Sequence, residues 1–123
     1  MDHEVRVLVA DDAEDVAEVV AHALTLDGYS VRIAPDGEQA KAMVAEFSPH
    51  CVLFDVDMPN LDGNQLSTWL RQQYGDDIVL IAMTGWSDTD RRVADTFIRV
   101  DHYLRKPIDL DTLRRVLPPV NDT

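Results

Sequence analysis

Three short, nearly continuous apolar runs constrain this chain more than any other feature. They lie in Glu4–Ala10 (EVRVLVA), Cys51–Asp55 (CVLFD) and Ile78–Met83 (IVLIAM). Each is bounded by acids or turn residues, and apart from Glu4 and Arg6 at the start of the first run and Asp55 at the end of the second, every position in them is apolar. Runs of this kind are strands buried on both faces, which only a sheet covered by helices on each side provides. They are far too short to cross a bilayer as helices.

The intervening segments supply the helices. Val16, Val19, Val20, Ala23 and Leu24 repeat at helical spacing, and Asp27-Gly28 closes that stretch. Tyr29 to Ala34 alternates apolar with polar residues, as a half-exposed edge strand does. Asp36 with Gln39 three residues later resembles a capping box, opening a helix with Ala40, Met43, Val44 and Phe47 on one face. Leu66, Trp69 and Leu70 mark a third helix, ending near Tyr74-Gly75. Ser87 with Asp90 signals a fourth, facing inward through Val93, Ala94 and Phe97. A short polar strand is expected at His102–Arg105, and Asp109 caps a last helix with Leu110, Leu113 and Leu117 inward, stopped by Pro118-Pro119.

Five strands alternating with five helices predict an α/β fold, a (βα)5 flavodoxin-like three-layer sandwich. Apolar runs one, three and four suit the centre of the sheet and the polar-interrupted strands two and five its edges, which gives the order 2-1-3-4-5. The switch point then falls between strands one and three, and binding is expected outside their C-terminal ends. Residues 1–123 read as a single domain, with a core of about 4–117 and 118–123 as a tail or the start of a linker.

Charge narrows the partners. Eleven bases stand against 23 acids, for a net charge of −12. Such a surface is repelled by nucleic acid and by anionic membrane, so neither is expected as a direct partner. The single cysteine, Cys51, excludes an intrachain disulfide and sits where a buried structural thiol is expected. A cytoplasmic location follows as the expectation.

Four strand ends carry polar residues directly after apolar sequence: Asp11-Asp12, Asp55, Thr84 and Lys106. Taken singly each has a plain alternative: Asp12 as a helix cap with Asp15, Thr84 as a turn hydroxyl, Lys106 as a solvated base. Adjacent strands lie about 4.8 Å apart, however, so the four ends form one edge. Converging carboxylates need a cation, and hard oxygen ligands favour Mg²⁺. His3, His22, His50 and His102 are scattered, which argues against zinc. A phosphoryl group would satisfy both the hydroxyl and the ammonium, and a carboxylate nucleophile attacking phosphorus forms an acyl phosphate.

Through VADDAED, LFDVDMPNLDG, IAMTGW and HYLRKP, the chain resembles the receiver domains of two-component response regulators, the chemotaxis regulator among them, from Val5 to about Leu117. The resemblance implies that Asp55 is the phosphoacceptor, Asp12 a direct Mg²⁺ ligand and Asp11 its partner acting through water. It places the backbone carbonyl of Asp57 in the metal shell, makes Thr84 the switch hydroxyl and sets Lys106 on a phosphoryl oxygen before a cis bond to Pro107. Tyr103 corresponds to the aromatic that follows Thr84. The implied function is a switch that takes phosphate from a sensor histidine kinase or histidine phosphotransfer protein. Its surface around the fourth helix, fifth strand and fifth helix then changes to control a downstream target or output domain, with phosphorylation-linked dimers among the options. Turnover catalysis is not implied.

The sequence departs from the family pattern in two places. Ala13 stands where an acid is common, and Ile98-Arg99-Val100-Asp101 replaces a small-Gly-small-Asp turn, so no glycine is available there for a left-handed cap. Trp86, beside the expected site mouth, is read either as packing or as a shield against water attack on the acyl phosphate. Two other readings were weighed. A haloacid-dehalogenase-type phosphatase would use Asp55 and Asp57, but Pro59 misfits that motif and no cap domain fits the length. A receiver-like scaffold that never becomes phosphorylated is disfavoured because every site position is filled.

Overall fold

The computed structural model describes residues 4–56, 58, 61–85 and 99–120. Five strands form one sheet: β1 Arg6–Ala10, β2 Ser30–Ala34, β3 Cys51–Asp55, β4 Val79–Thr84 and β5 His102–Arg105. All neighbours pair in parallel, and the order is β2-β1-β3-β4-β5, as the apolar pattern predicts. β3 and β5 have the expected bounds. β4 is shifted by one residue from its apolar run Ile78–Met83, starting at Val79 and ending at Thr84. The fourth predicted helix, with Ser87, Asp90, Val93, Ala94 and Phe97, lies outside the described residues, as do Asp57, Pro59 and Trp86.

Helices α1 (Glu14–Leu26), α2 (Gly37–Phe47), α3 (Gly63–Tyr74) and a C-terminal helix (Leu110–Val116) cover the sheet. Alternate residues of the strands point to opposite faces, which divides the interior into two cores. Leu8, Val52, Phe54 and Leu80 pack with Ala40, Val44 and Phe47 of α2 and with Leu66 and Leu70 of α3. Val7, Val9, Leu53 and Ile81 pack with Ala17, Val20 and Leu24 of α1 and with Leu113 of the C-terminal helix. Each fully buried aliphatic side chain of this kind contributes about 1.5–3 kcal/mol against exposure.

One expectation fails on α1. Val16 and Val19 belong to the apolar repeat read from the sequence, but they are 38% and 62% exposed, and the buried stripe is Ala17, Val20 and Leu24. Both stripes are consistent with 3.6-residue periodicity. The helix uses the one on which small Ala17 lets it approach the sheet closely, and the two valines lie about 100° round the axis from it.

The caps follow the sequence signals in part. The Asp36 carboxylate accepts from the Gln39 amide at 2.8 Å. A full reciprocal capping box forms at a site the sequence reading passed over: the Asp62 side chain accepts from Gln65 N, and Gln65 Oε1 accepts from Asp62 N. Asp109 caps the C-terminal helix, accepting from Asp111 N and from the Thr112 hydroxyl.

The turn that lacks its glycine is built on hydrogen bonds instead. Ser48 is the single non-glycine residue with positive φ among the described residues, so Arg99 takes an ordinary backbone conformation. Arg71 of α3 holds this turn in place. Its Nε donates to Arg99 O at 2.7 Å and its Nη2 to Asp101 Oδ2 at 2.9 Å, while Nη1 donates to Gly75 O and Ile78 O. The same Asp101 oxygen accepts from Leu80 N at 2.8 Å. Partial burial pushes the Asp101 carboxyl up, but the Leu80 amide and the Arg71 guanidinium outweigh it and hold it below its ordinary value.

Candidate functional site

The site forms where the parallel strands end together. In the sheet register Asp55 lies beside Met83 and Thr84 beside Arg105, so the last residues of β3, β4 and β5 reach one edge. Lys106, immediately after β5, donates its backbone N–H to Thr84 O at 2.8 Å. That bond carries the β4–β5 pairing one residue further and fixes the origin of the lysine side chain. From there Lys106 Nζ donates to Asp55 Oδ2 at 3.0 Å and to Asp11 Oδ2 at 3.3 Å.

Asp11 follows β1 and is 1% exposed. Its N–H bonds to Ala34 O, and its Oδ1 accepts from Ala13 N at 2.9 Å. The start of α1 therefore fixes the orientation of this carboxylate. Asp12 has a different role from the cap that its spacing to Asp15 offered. The N-cap of α1 is Ala13, with no side-chain cap bond, and Asp12 is exposed at the mouth of the site.

Carboxylate oxygens of Asp11, Asp12 and Asp55 lie within 4.8 Å of one another. Two of these acids are buried, and Lys106 is the lysine bonded to both. Three carboxylates with one ammonium leave the cluster two charges short of neutrality. An oxygen-only donor set with that deficit, open on the Asp12 side, fits a divalent cation of the Mg²⁺ type. Burial draws the Lys106 ammonium down, but the hydrogen bond and charge of Asp55, and then those of Asp11, outweigh it and hold the group above the ordinary lysine value.

Thr84 is fully buried. Tyr103 pairs with Ala82, two residues before Thr84, so the threonine and the tyrosine share one face of the sheet. The Tyr103 hydroxyl is enclosed and its ring packs on the core that contains Ala82. The Lys106-Pro107 bond is cis, as the resemblance implied. The geometry thus brings together Asp11, Asp12, Asp55, Thr84 and Lys106, with Tyr103 on the neighbouring strand two residues back from the level of Thr84, while Asp57 lies outside the described residues.

The family model for the response regulator receiver domain matches residues 7–117. This chain belongs to the response regulator receiver family. The receiver domain is 39% identical over 109 residues to the response regulator MprA of Mycolicibacterium vanbaalenii, with 89% of this chain and 47% of that protein covered. The MprA of Mycobacterium tuberculosis matches over the same length at the same identity. The chain spans about half the length of these curated relatives. Among solved structures, the receiver fold superposes on a CheY-like response regulator receiver domain protein of Methanospirillum hungatei with a TM-score of 0.84 at 23% identity, covering 92% of this chain and 90% of the other. Chemotaxis protein CheY4 of Vibrio cholerae gives 0.81 at 27% identity, covering 93% and 99%. The Thermotoga maritima response regulator TrrA, solved in complex with Mg²⁺ and a beryllium fluoride, gives 0.77 at 26% identity, covering 90% and 94%. No helix among the described residues is long and apolar enough to cross a membrane.

Two features that position this site were missed in the sequence. Gly63, at the start of α3, packs so closely that a Cβ there would lie 2.6 Å from Val56 Cα and 2.9 Å from Asp55 O. Gly37, at the start of α2, packs equally closely on Leu61. The signal was available, since each glycine follows an aspartate that caps a helix.

Proposed function

We propose that this chain is a phosphorylation-activated signalling switch in which Asp55 is the phosphoacceptor. The observation that carries the reading is the Lys106 ammonium, bridging Asp55 and Asp11 inside a three-carboxylate cluster. An Asp55 oxygen forms a bond to phosphorus as the P–N bond of a phosphohistidine breaks, with the imidazole leaving with the bonding pair. Lys106 balances charge on the transferring oxygens, and the buried Thr84 hydroxyl would donate to the product. Asp12 and Asp55 would hold Mg²⁺ directly, Asp11 would do so through water, and the Asp57 carbonyl would complete the shell. The ion would neutralise charge on the phosphoryl group. Tyr103, on the Thr84 face of β5, would carry the change to the surface. Hydrolysis of the acyl phosphate returns the carboxylate and inorganic phosphate, so the domain catalyses only its own modification and its reversal.

The partners that follow are a sensor histidine kinase or histidine phosphotransfer protein upstream and a protein target or output domain downstream. These belong in the cytoplasm, with residues 1–123 acting as one unit. The test is incubation with a small phosphodonor and Mg²⁺, followed by intact mass. Wild type should gain the mass of one phosphoryl group, and Asp55→Asn should gain none. Absence of the adduct in wild type, or equal adducts in both proteins, would refute the assignment.

A further inference from the structure

Arg99 occupies the place where the family resemblance leads one to expect glycine, and its side chain extends to the other end of α3. Its Nη1 donates to Asn64 Oδ1 at 2.5 Å, spanning 35 positions of sequence. Asn64 is the second residue of α3, and the residue before it, Gly63, rests on the backbone of the phosphoacceptor strand. The Gly63 N–H donates to Val56 O at 2.8 Å, and the α-carbon of Gly63 faces Val56 Cα and Asp55 O with no room for a methyl. At the far end of α3, Arg71 binds the carbonyl of the same Arg99 and the carboxylate of Asp101. The helix is therefore fastened to the turn before β5 at both ends, by the Arg71 side chain on the Arg99 carbonyl and by the Arg99 side chain on Asn64.

We propose that Arg99 is a positioning residue for Asp55: through Asn64 it presses the first turn of α3 against the Asp55–Val56 backbone. This rests on the reading of Asp55 as phosphoacceptor. A glycine at position 99 offers no side chain for this link, so the brace depends on this chain's own arginine. The hydrogen bond from a guanidinium to an amide oxygen is of the charge-assisted kind, and at a partly buried position it is stronger than a neutral one. Losing it should loosen the start of α3 without unravelling the sheet, because the Arg71 contacts use the Arg99 carbonyl and survive any side-chain change there.

The test reads two quantities in the folded full chain. Amide hydrogen exchange followed by NMR should show Gly63 exchanging roughly tenfold faster in Arg99→Ala and Asn64→Ala, the loss expected for one such bond. Leu53 and Ile81 in the sheet should be unchanged. Arg99→Lys, which keeps a donor, should restore most of the protection. Phosphoryl uptake from a small phosphodonor with Mg²⁺ should change severalfold in Arg99→Ala and return towards wild type in Arg99→Lys. Unchanged Gly63 exchange would overturn the proposal, as would equal acceleration at Leu53 and Ile81, which marks a global loss of stability. Faster Gly63 exchange with unaltered uptake would also overturn it, since the brace would then not reach Asp55. If wild type takes up no phosphoryl group, the functional reading falls, and exchange alone decides whether Arg99 holds the Asp55–Val56 backbone.

Discussion

Replacing Lys106 with methionine is expected to remove about 3 kcal/mol of stability at neutral pH in buffer free of divalent cations. The substitution keeps most of the aliphatic stem and removes the charge together with the N–H donors to Asp55 and Asp11. Asp11 and Asp55 are 1% and 6% exposed, and both accept from this ammonium. Removing one partner of a buried charge cluster costs about 3–5 kcal/mol, because the charges left behind are desolvated and uncompensated. The lysine side chain is itself 25% exposed, which places the effect at the low end of that range. The deficit should shrink on addition of Mg²⁺, which supplies positive charge to the same carboxylates. In wild type the Lys106 group is held above its ordinary 10.5, so its contribution is complete below that value and is lost only as pH climbs through the raised one. Urea unfolding of both proteins at pH 7, with and without Mg²⁺, checks this. A deficit indifferent to the metal would show that the lysine acts through packing rather than charge.

The second large effect is expected at Gly37, where alanine should destabilise the protein by about 2 kcal/mol. Helix propensity argues the other way, favouring alanine by up to about 1 kcal/mol. Packing decides the sign. A methyl on Gly37 would run into the Leu61 carbonyl oxygen and lie 2.7 Å from Leu61 Cβ. These are backbone and near-backbone atoms that cannot swing aside as the tip of a long side chain can, and overpacking of this kind costs roughly 1–3 kcal/mol or more. Gly63 packs in the same way on Val56 and Asp55, so Leu61 and Val56 each rest against a residue that lacks a Cβ atom. Gly85→Ala is the control for an unobstructed methyl, because no atom of the described residues lies within 4 Å of a Cβ there, and its effect should stay within about 0.5 kcal/mol. Gly37→Ala unfolding at the same urea concentration as wild type would contradict the argument.

The sheet was legible because its signals are local. Runs such as CVLFD and IVLIAM leave no face for water, and that alone places them at the centre. The convergence of Asp11, Asp55, Thr84 and Lys106 was legible for the same reason: once the strand order is known, every residue just past a strand end falls on one edge. What remained hidden depends on long-range geometry. The stretch from Val16 to Leu24 carries two apolar stripes, and only contact with the sheet selects Ala17, Val20 and Leu24. The reach of Arg71 to the carbonyls of Gly75, Ile78 and Arg99 leaves no trace in residue types, since every residue has a carbonyl. Asp62 and Gln65 are different, because their spacing repeats that of Asp36 and Gln39 and was readable.

The burial of Cys51 makes the chain its own reporter of unfolding. The thiol lies on a central strand with no exposed surface, and burial pushes its pKa up, so little thiolate forms. An alkylating reagent should therefore label it only in molecules whose sheet has opened. The rate of labelling at saturating reagent then measures how often β3 separates from β1 and β4. The same measurement after loading with Mg²⁺ gives, with no introduced probe, the extent to which an ion at the carboxylate edge slows the opening of the whole sheet.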